Sequence, residues 1–325
     1  MEQSQVQLKD EIKRLKEEKR ALIMAHYYTR PEIQEIADFI GDSLALARKA
    51  AETDAEIILM CGVHFMGETA KILCPDKKVL VPDMEAGCSL ADSCDPEEFA
   101  AFVAAHPDHT VVSYVNTSAA VKAHTDIVVT SGNARKIIES LPADEKIIFG
   151  PDRNLGDYIN RTCGRSMLLW DGACHVHERF SVERILEMKR EHPGAKVLVH
   201  PECRKPLHLI ADKVGSTAAL LDFAREDEAT EFIVVTESGI LFEMQRKCPG
   251  KSFLPAPAED AECQCNECDF MKLNTLDKIY KALLNEAPEI FVNPEVAQRA
   301  VRPINRMLEL SCSHPLSAGR NTPYI

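Results

Sequence analysis

The stretch Ile57-Ile58-Leu59-Met60, then Gly62 and a helical segment, then Val79-Leu80-Val81-Pro82-Asp83 reads as strand, helix, strand, with Cys88 soon after. The same unit returns as Ile127-Val128-Val129-Thr130-Ser131-Gly132, a helix, and Ile147-Ile148-Phe149-Gly150-Pro151-Asp152, with Cys163 and Cys174 beyond. A third copy reads Phe232-Ile233-Val234-Val235-Thr236-Glu237-Ser238-Gly239, a helix, and Phe253-Leu254-Pro255-Ala256-Pro257, followed by Cys263, Cys265 and Cys268. Short apolar runs separated by helices favour parallel sheets. A unit repeated at this length predicts three similar lobes. The expected fold class is therefore α/β: three similar lobes with short parallel sheets. The lobes are expected at 1–88, 89–174 and 175–284, with 285–325 packing back on the first.

Each copy is preceded by another strand-like run. Residues 21–25 end in His26-Tyr27-Tyr28, residues 111–113 in Tyr114-Val115-Asn116-Thr117, and residues 196–199 in His200-Pro201-Glu202-Cys203. Ligands of parallel α/β sheets bind beyond the carboxyl ends of strands, so these polar tips are the expected site. Small polar residues follow at expected helix starts: Gly41-Asp42-Ser43, Thr130-Ser131-Gly132 and Gly215-Ser216-Thr217. Such turns are ordinary N-caps, and their free N–H groups also suit phosphate or carboxylate. Residues 31–52 read as one helix, with Pro31 in its first turn. Residues 8–20 read as a solvated, charge-paired helix.

The 325-residue chain is 45% hydrophobic and 27% charged, as soluble globular proteins are. No apolar run approaches the roughly 20 residues of a membrane span. The N-terminus has no apolar signal core, so a cytoplasmic location is expected. A net charge of −13 argues against nucleic acid or an anionic membrane as partner. Twelve cysteines exceed what packing needs. In a reducing compartment they point to metal or redox chemistry.

If the lobes share an axis, one cysteine from each meets there, leaving a metal position open. Cys263-Gln-Cys265-Asn-Glu-Cys268 has no matching second pair at zinc-ribbon spacing, so it does not form a local site alone. Soft thiolates suit an iron–sulfur cluster or zinc. Three remote cysteines would leave one cluster iron free to act as a Lewis acid. Cys61, Cys74 and Cys312 read as buried inert thiols. His26 and Tyr28 sit at one strand tip, where such side chains are often only packed and hydrogen-bonded; His200 with Glu202, at another, can face one pocket as general acid/base chemistry requires. In Cys174-His175-Val176-His177-Glu178, both imidazoles are candidate supporting donors.

Together these residues resemble quinolinate synthase. The resemblance runs through Ala25-His26-Tyr27-Tyr28, Cys61-Gly62-Val63-His64-Phe65-Met66-Gly67-Glu68, Tyr114-Val115-Asn116-Thr117, Trp170-Asp171-Gly172-Ala173-Cys174, His200-Pro201-Glu202-Cys203 and Met271-Lys272-Leu273-Asn274-Thr275. It implies three αβα sandwich lobes around a pseudo-threefold axis, with a central [4Fe-4S] cluster held by Cys88, Cys174 and Cys268. Cys268 is chosen because it stands just ahead of Phe270-Met271-Lys272-Leu273-Asn274, one residue removed. Where the family often has proline after that cysteine, this chain has Asp269. An oxidised Cys265–Cys268 pair would remove the third ligand. The implied reaction condenses iminoaspartate with dihydroxyacetone phosphate to quinolinate, phosphate and water, in NAD biosynthesis, with a possible link to an aspartate-oxidising enzyme. By resemblance Tyr28 and Glu202 are acid and base, supported by His26 and His200. Ser43, Tyr114, Asn116, Ser131, His177 and Thr217 would bind substrate. Charge compensation is expected from backbone N–H groups and helix dipoles. The competing readings are a hydro-lyase, an iron–sulfur redox sensor and a structural zinc protein.

Overall fold

The computed structural model of the chain describes residues 2–259 and 266–312. Among these residues three four-stranded sheets form, and every strand pairing is parallel. The first holds β1 (Ala21–His26), β2 (Phe39–Gly41), β3 (Ile57–Cys61) and β4 (Lys78–Leu80). The second holds β5 (Thr110–Tyr114), β6 (Ile127–Val129), β7 (Ile147–Gly150) and β8 (Leu168–Leu169). The third holds β9 (Lys196–Val199), β10 (Lys213–Val214), β11 (Glu231–Val235) and β12 (Ser252–Pro255). Each sheet has the same order, β2-β1-β3-β4, β6-β5-β7-β8 and β10-β9-β11-β12. From its first strand the chain steps to one side, then returns past that strand to the other side. The crevice at such a reversal lies beside the tip of the first strand, where open α/β sheets bind ligands.

A second repeat confirms the threefold design. Asp38 Oδ2 accepts from the Ile23 N–H at 2.9 Å, Asp126 Oδ2 from Val111 at 2.8 Å, and Asp212 Oδ2 from Val197 at 2.8 Å, each across fifteen residues. These carboxylates lead into the second strand of each sheet. The helix expected over 31–52 is therefore interrupted: helices Pro31–Ile36 and Ser43–Glu52 flank β2. Asp38 and the pairing of Phe39, Ile40 and Gly41 with Met24, Ala25 and His26 outcompete a continuous helix.

β3 is buried throughout, as a strand covered on both faces must be. One face of the first sheet lies against helices Glu2–Glu18 and Leu276–Asn285, where Ile12 and Leu15 meet Ile279 and Leu283. The first helix is thus amphipathic rather than wholly solvated, through Leu8, Ile12 and Leu15 at helical spacing. After residue 285 the chain touches the first lobe, where the Ile290 N–H bonds Val79 O at 2.8 Å. Helix Pro294–Cys312 then crosses to the second lobe and packs on β6, burying Ala300, Ile304 and Met307. Those three recur at i, i+4 and i+7, one stripe of a helix. No described helix is long and apolar enough to cross a membrane.

Candidate active site

The first-strand tips share their turn contacts pairwise, the first with the third and the first with the second. His26 Nδ1 accepts from the Tyr28 N–H at 3.2 Å, and His200 Nδ1 accepts from the Glu202 N–H at 3.3 Å. Thr29 and Thr117 hydroxyls close the first and second tips on His26 O (2.9 Å) and Tyr114 O (3.1 Å). Burial drives both imidazoles down to about 3, so each is neutral near pH 7. With Nδ1 accepting, the proton of the neutral ring is assigned to Nε2. Both rings therefore carry a hydrogen-bond donor at Nε2.

A chain of close polar contacts joins the lobes. Tyr114 donates its phenol to Glu202 Oε1 at 2.5 Å. Glu202 Oε2 lies 2.9 Å from His177 Nδ1, and His177 Nε2 lies 2.9 Å from Thr236 Oγ1. Tyr28 OH meets Thr236 Oγ1 at 2.8 Å and Thr217 Oγ1 at 2.7 Å. Burial opposes ionisation of Glu202, but attraction to His177 and His200 and the Tyr114 hydrogen bond hold it low, at about 2. His200 is itself neutral and its Nδ1 is 4.0 Å away, so His177, with Nδ1 2.9 Å from Oε2, is the nearer imidazole to the carboxylate. Burial pushes both Tyr28 and Tyr114 phenols well above their usual range, so they stay protonated.

Cys88, Cys174 and Cys268 share one local structure. Each is the N-cap of a four-residue helix: Ser89–Asp92, His175–Glu178 and Asp269–Lys272. Burial pushes Cys88 up to about 12, Cys268 to about 11 and Cys174 well above the thiol range. Backbone N–H groups of the following turn oppose the rise in every case: Leu90 and Ala91, His177, and Phe270 and Met271. Cys88 feels the charge of Cys268, and Cys174 feels that of Cys88, so the three sulfurs are electrostatic neighbours. Buried thiols that would repel one another once ionised, with N–H donors aimed at them, fit a cationic metal centre, which deprotonates its thiol ligands.

One cavity is lined by thirteen residues singled out in the sequence: His26, Tyr28, Ser43, Cys88, Tyr114, Asn116, Ser131, Cys174, His177, His200, Glu202, Thr217 and Cys268. Ser43 and Thr217 open helices capped by Asp42 and Ser216, which accept from Ala45 N (3.0 Å) and Ala219 N (3.3 Å). Asn116 Oδ1 is buried without a hydrogen-bond partner, an acceptor left for a ligand. His175 does not line the cavity; it meets Ser89 Oγ at 2.5 Å, between the first and second cysteine turns. Cys61 and Cys74 are buried, as inert thiols are. Cys263 and Cys265 lie outside the described residues, as does any pairing of Cys265 with Cys268.

Three features escaped the sequence reading. Thr236 links Tyr28 to His177 from the tip of β11. Glu237, next along, lines the cavity and accepts from the Cys268 N–H at 3.1 Å. The expectation that only backbone dipoles offset charge is corrected by two lysines. Lys272 Nζ bonds Glu237 Oε1 and Tyr28 O, each at 2.9 Å. Lys122, fully buried and brought down to about 8 by burial, holds Val115 O at 2.8 Å and Thr117 O. Each ammonium pins a strand tip. The rule that picked His26 and Tyr114, polar residues just past a buried run, applies equally to Thr236 and Glu237.

Fold and site define a triple αβα protein whose lobes share one thiol-lined cavity. The chain belongs to the family described as quinolinate synthetase A protein, whose family model matches residues 10–309. The curated quinolinate synthase of Chloroherpeton thalassium is 54% identical over 308 residues, 95% of this chain and 96% of its own. That of Trichodesmium erythraeum is 55% identical over 297 residues, 91% and 92% of the two chains. That of Nostoc sp. is 55% identical over 300 residues, 92% of each.

Proposed function

We propose that the chain is a quinolinate synthase of NAD biosynthesis, condensing iminoaspartate with dihydroxyacetone phosphate to quinolinate, phosphate and water. The observation that carries this reading is the gathering of three strand tips and three N-capping thiols around one cavity. Cys88, Cys174 and Cys268 would hold a [4Fe-4S] cluster. When bound, it would supply a Lewis acid for loss of hydroxyl groups.

The chain's own groups support the rest. The Nε2–H groups of His26 and His200 are neutral donors suited to carboxylate or developing oxyanion. Asn116 Oδ1 accepts from a substrate N–H or O–H. Glu202, kept ionised beside Tyr114 and His177, is the base. Tyr28, kept protonated, is the acid, and Thr236 connects it to His177 for return of the proton. Ser43 and Thr217, at the N-termini of ten-residue helices, suit the phosphate and carboxylates, with Ser131 beside Tyr114. The unstable imine implies a supplier that oxidises aspartate, and we place both in the cytoplasm.

The test is anaerobic turnover of the iron- and sulfide-reconstituted chain with both substrates, reading quinolinate by chromatography. Quinolinate formation that requires dihydroxyacetone phosphate supports the reading. Dehydration of a hydroxy acid with no need for that phosphate would replace it with a hydro-lyase.

A further inference from the structure

Cys174, His177 and Glu202 each offer a ligand atom, and these atoms lie within 4.8 Å of one another. We propose that the chain, when it carries no cluster, binds one divalent cation of the zinc type on these three side chains, and that this ion and the cluster exclude each other. The exclusion rests on the proposed cluster only through Cys174, which both would need.

The donor set is one thiolate, one imidazole and one carboxylate, the mixture that catalytic zinc sites use with a fourth position open. Its supporting bonds are already in place. His177 Nε2 is engaged by Thr236 Oγ1 at 2.9 Å; with the ring proton on that nitrogen, Nδ1 offers its lone pair to a metal. That Nδ1 is buried and has no aligned hydrogen-bond partner, although Glu202 Oε2 is 2.9 Å away. A cation bound there would take Nδ1 and Oε2 as ligands in place of their contact with each other. On the far side of the carboxylate, Tyr114 donates to Oε1 at 2.5 Å, leaving Oε2 for a metal. Bonds of about 2.0–2.3 Å give a tetrahedron with edges of about 3.3–3.8 Å. The observed separations, 2.9 Å for one pair and none beyond 4.8 Å, bracket that range. All three residues line the cavity, so the fourth position opens into the space substrate would need.

The experiment uses the full chain prepared anaerobically without cluster. Zn2+ affinity is measured by competition with a chromophoric chelator, and Co2+ is the spectroscopic probe. The expected result is about one Zn2+ per chain, weakened at least about tenfold in His177→Ala and in Glu202→Gln. Affinity should stay within about twofold in Cys88→Ala and Cys268→Ala, and the thiolate-to-Co2+ band should vanish in Cys174→Ala. Glu202→Gln keeps the shape and the Tyr114 acceptor, so its loss of affinity is not a loss of fold; near-UV circular dichroism checks this. Absence of zinc binding, or binding that survives His177→Ala and Glu202→Gln but fails in Cys88→Ala, would overturn the proposal and put the ion on the three thiols. Iron loading of the same His177→Ala chain separates the two claims. A wild-type chain that takes zinc at this site but never loads iron refutes the cluster and leaves the zinc site standing.

Discussion

Tyr114, at the tip of the second lobe, donates its hydroxyl to Glu202 of the third lobe at 2.5 Å, and both are buried. Charge-assisted bonds of this kind are the strong ones, and here one sets the state of a proposed base across a lobe boundary. Tyr114→Phe removes the donor and nothing else in size. The carboxylate of Glu202 then loses stabilisation and its pKa rises, so the acid limb of the kcat profile moves to higher pH. We expect kcat to fall on the order of 10²-fold. An acid limb at its wild-type position would show that the bond does not govern Glu202.

Thr236 and Thr217 both contact Tyr28 OH, but Thr236 also holds His177. Thr236→Val should therefore cost more than Thr217→Val, by about 1–3 kcal/mol for the extra unsatisfied buried group. Urea unfolding of the two variants measures the difference. Equal losses would mean that the Thr236–His177 contact contributes nothing.

Gly239 sits where the third lobe meets the first. A Cβ there would lie 2.7 Å from Tyr28 Cα and 2.9 Å from Tyr27 O, both backbone atoms. Gly239→Ala must part the lobes or shift the Tyr28 tip, costing about 1–3 kcal/mol and a marked fall in kcat. Gly194 is the control: nothing lies within 4 Å of its Cβ position. Gly194→Ala should leave stability equal or raise it by about 0.4–1 kcal/mol. Thermal melts of both variants decide; a harmless Gly239→Ala would mean that the seam is loose.

Acid should destabilise the cluster-free chain, and the sign follows from the buried histidines. His26 and His200 resist protonation down to about 3 when folded, against 6.5 when unfolded. Their contribution is fully present above pH 6.5 and is lost as pH falls from there toward 3. Each adds a slope of about 1.4 kcal/mol per pH unit in that window. Glu202, lowered to about 2 from 4.5, acts in the same direction below 4.5. Urea midpoints at about pH 7, 6 and 5 should fall steadily, and His200→Gln should flatten the decline. A midpoint that rises on acidification would contradict the buried neutral state.

The long central strands were legible because a strand buried on both faces is an unbroken apolar run, as Ile57–Cys61 is. The three tips were legible because polar residues abruptly end such runs. β8 and β10 were not, since two residues carry no periodicity. β2 was hidden inside a helical-looking stretch, although Asp38, Asp126 and Asp212 mark all three second strands at a common spacing. Cys88, Cys174 and Cys268 were named by resemblance. Their shared N-cap geometry, and the roles of Lys122, Lys272 and Thr236, are tertiary facts that local sequence does not encode.

The most direct measurement is iron and sulfide content with the visible spectrum, taken anaerobically on the reconstituted wild type and on Cys88→Ala, Cys174→Ala and Cys268→Ala. The account predicts about four irons and four sulfides per wild-type chain, with the absorption band lost in each variant. A cluster that persists without Cys88 or Cys174, or a chain that never takes up iron and sulfide, would contradict the convergence of one thiol from each lobe on a single centre.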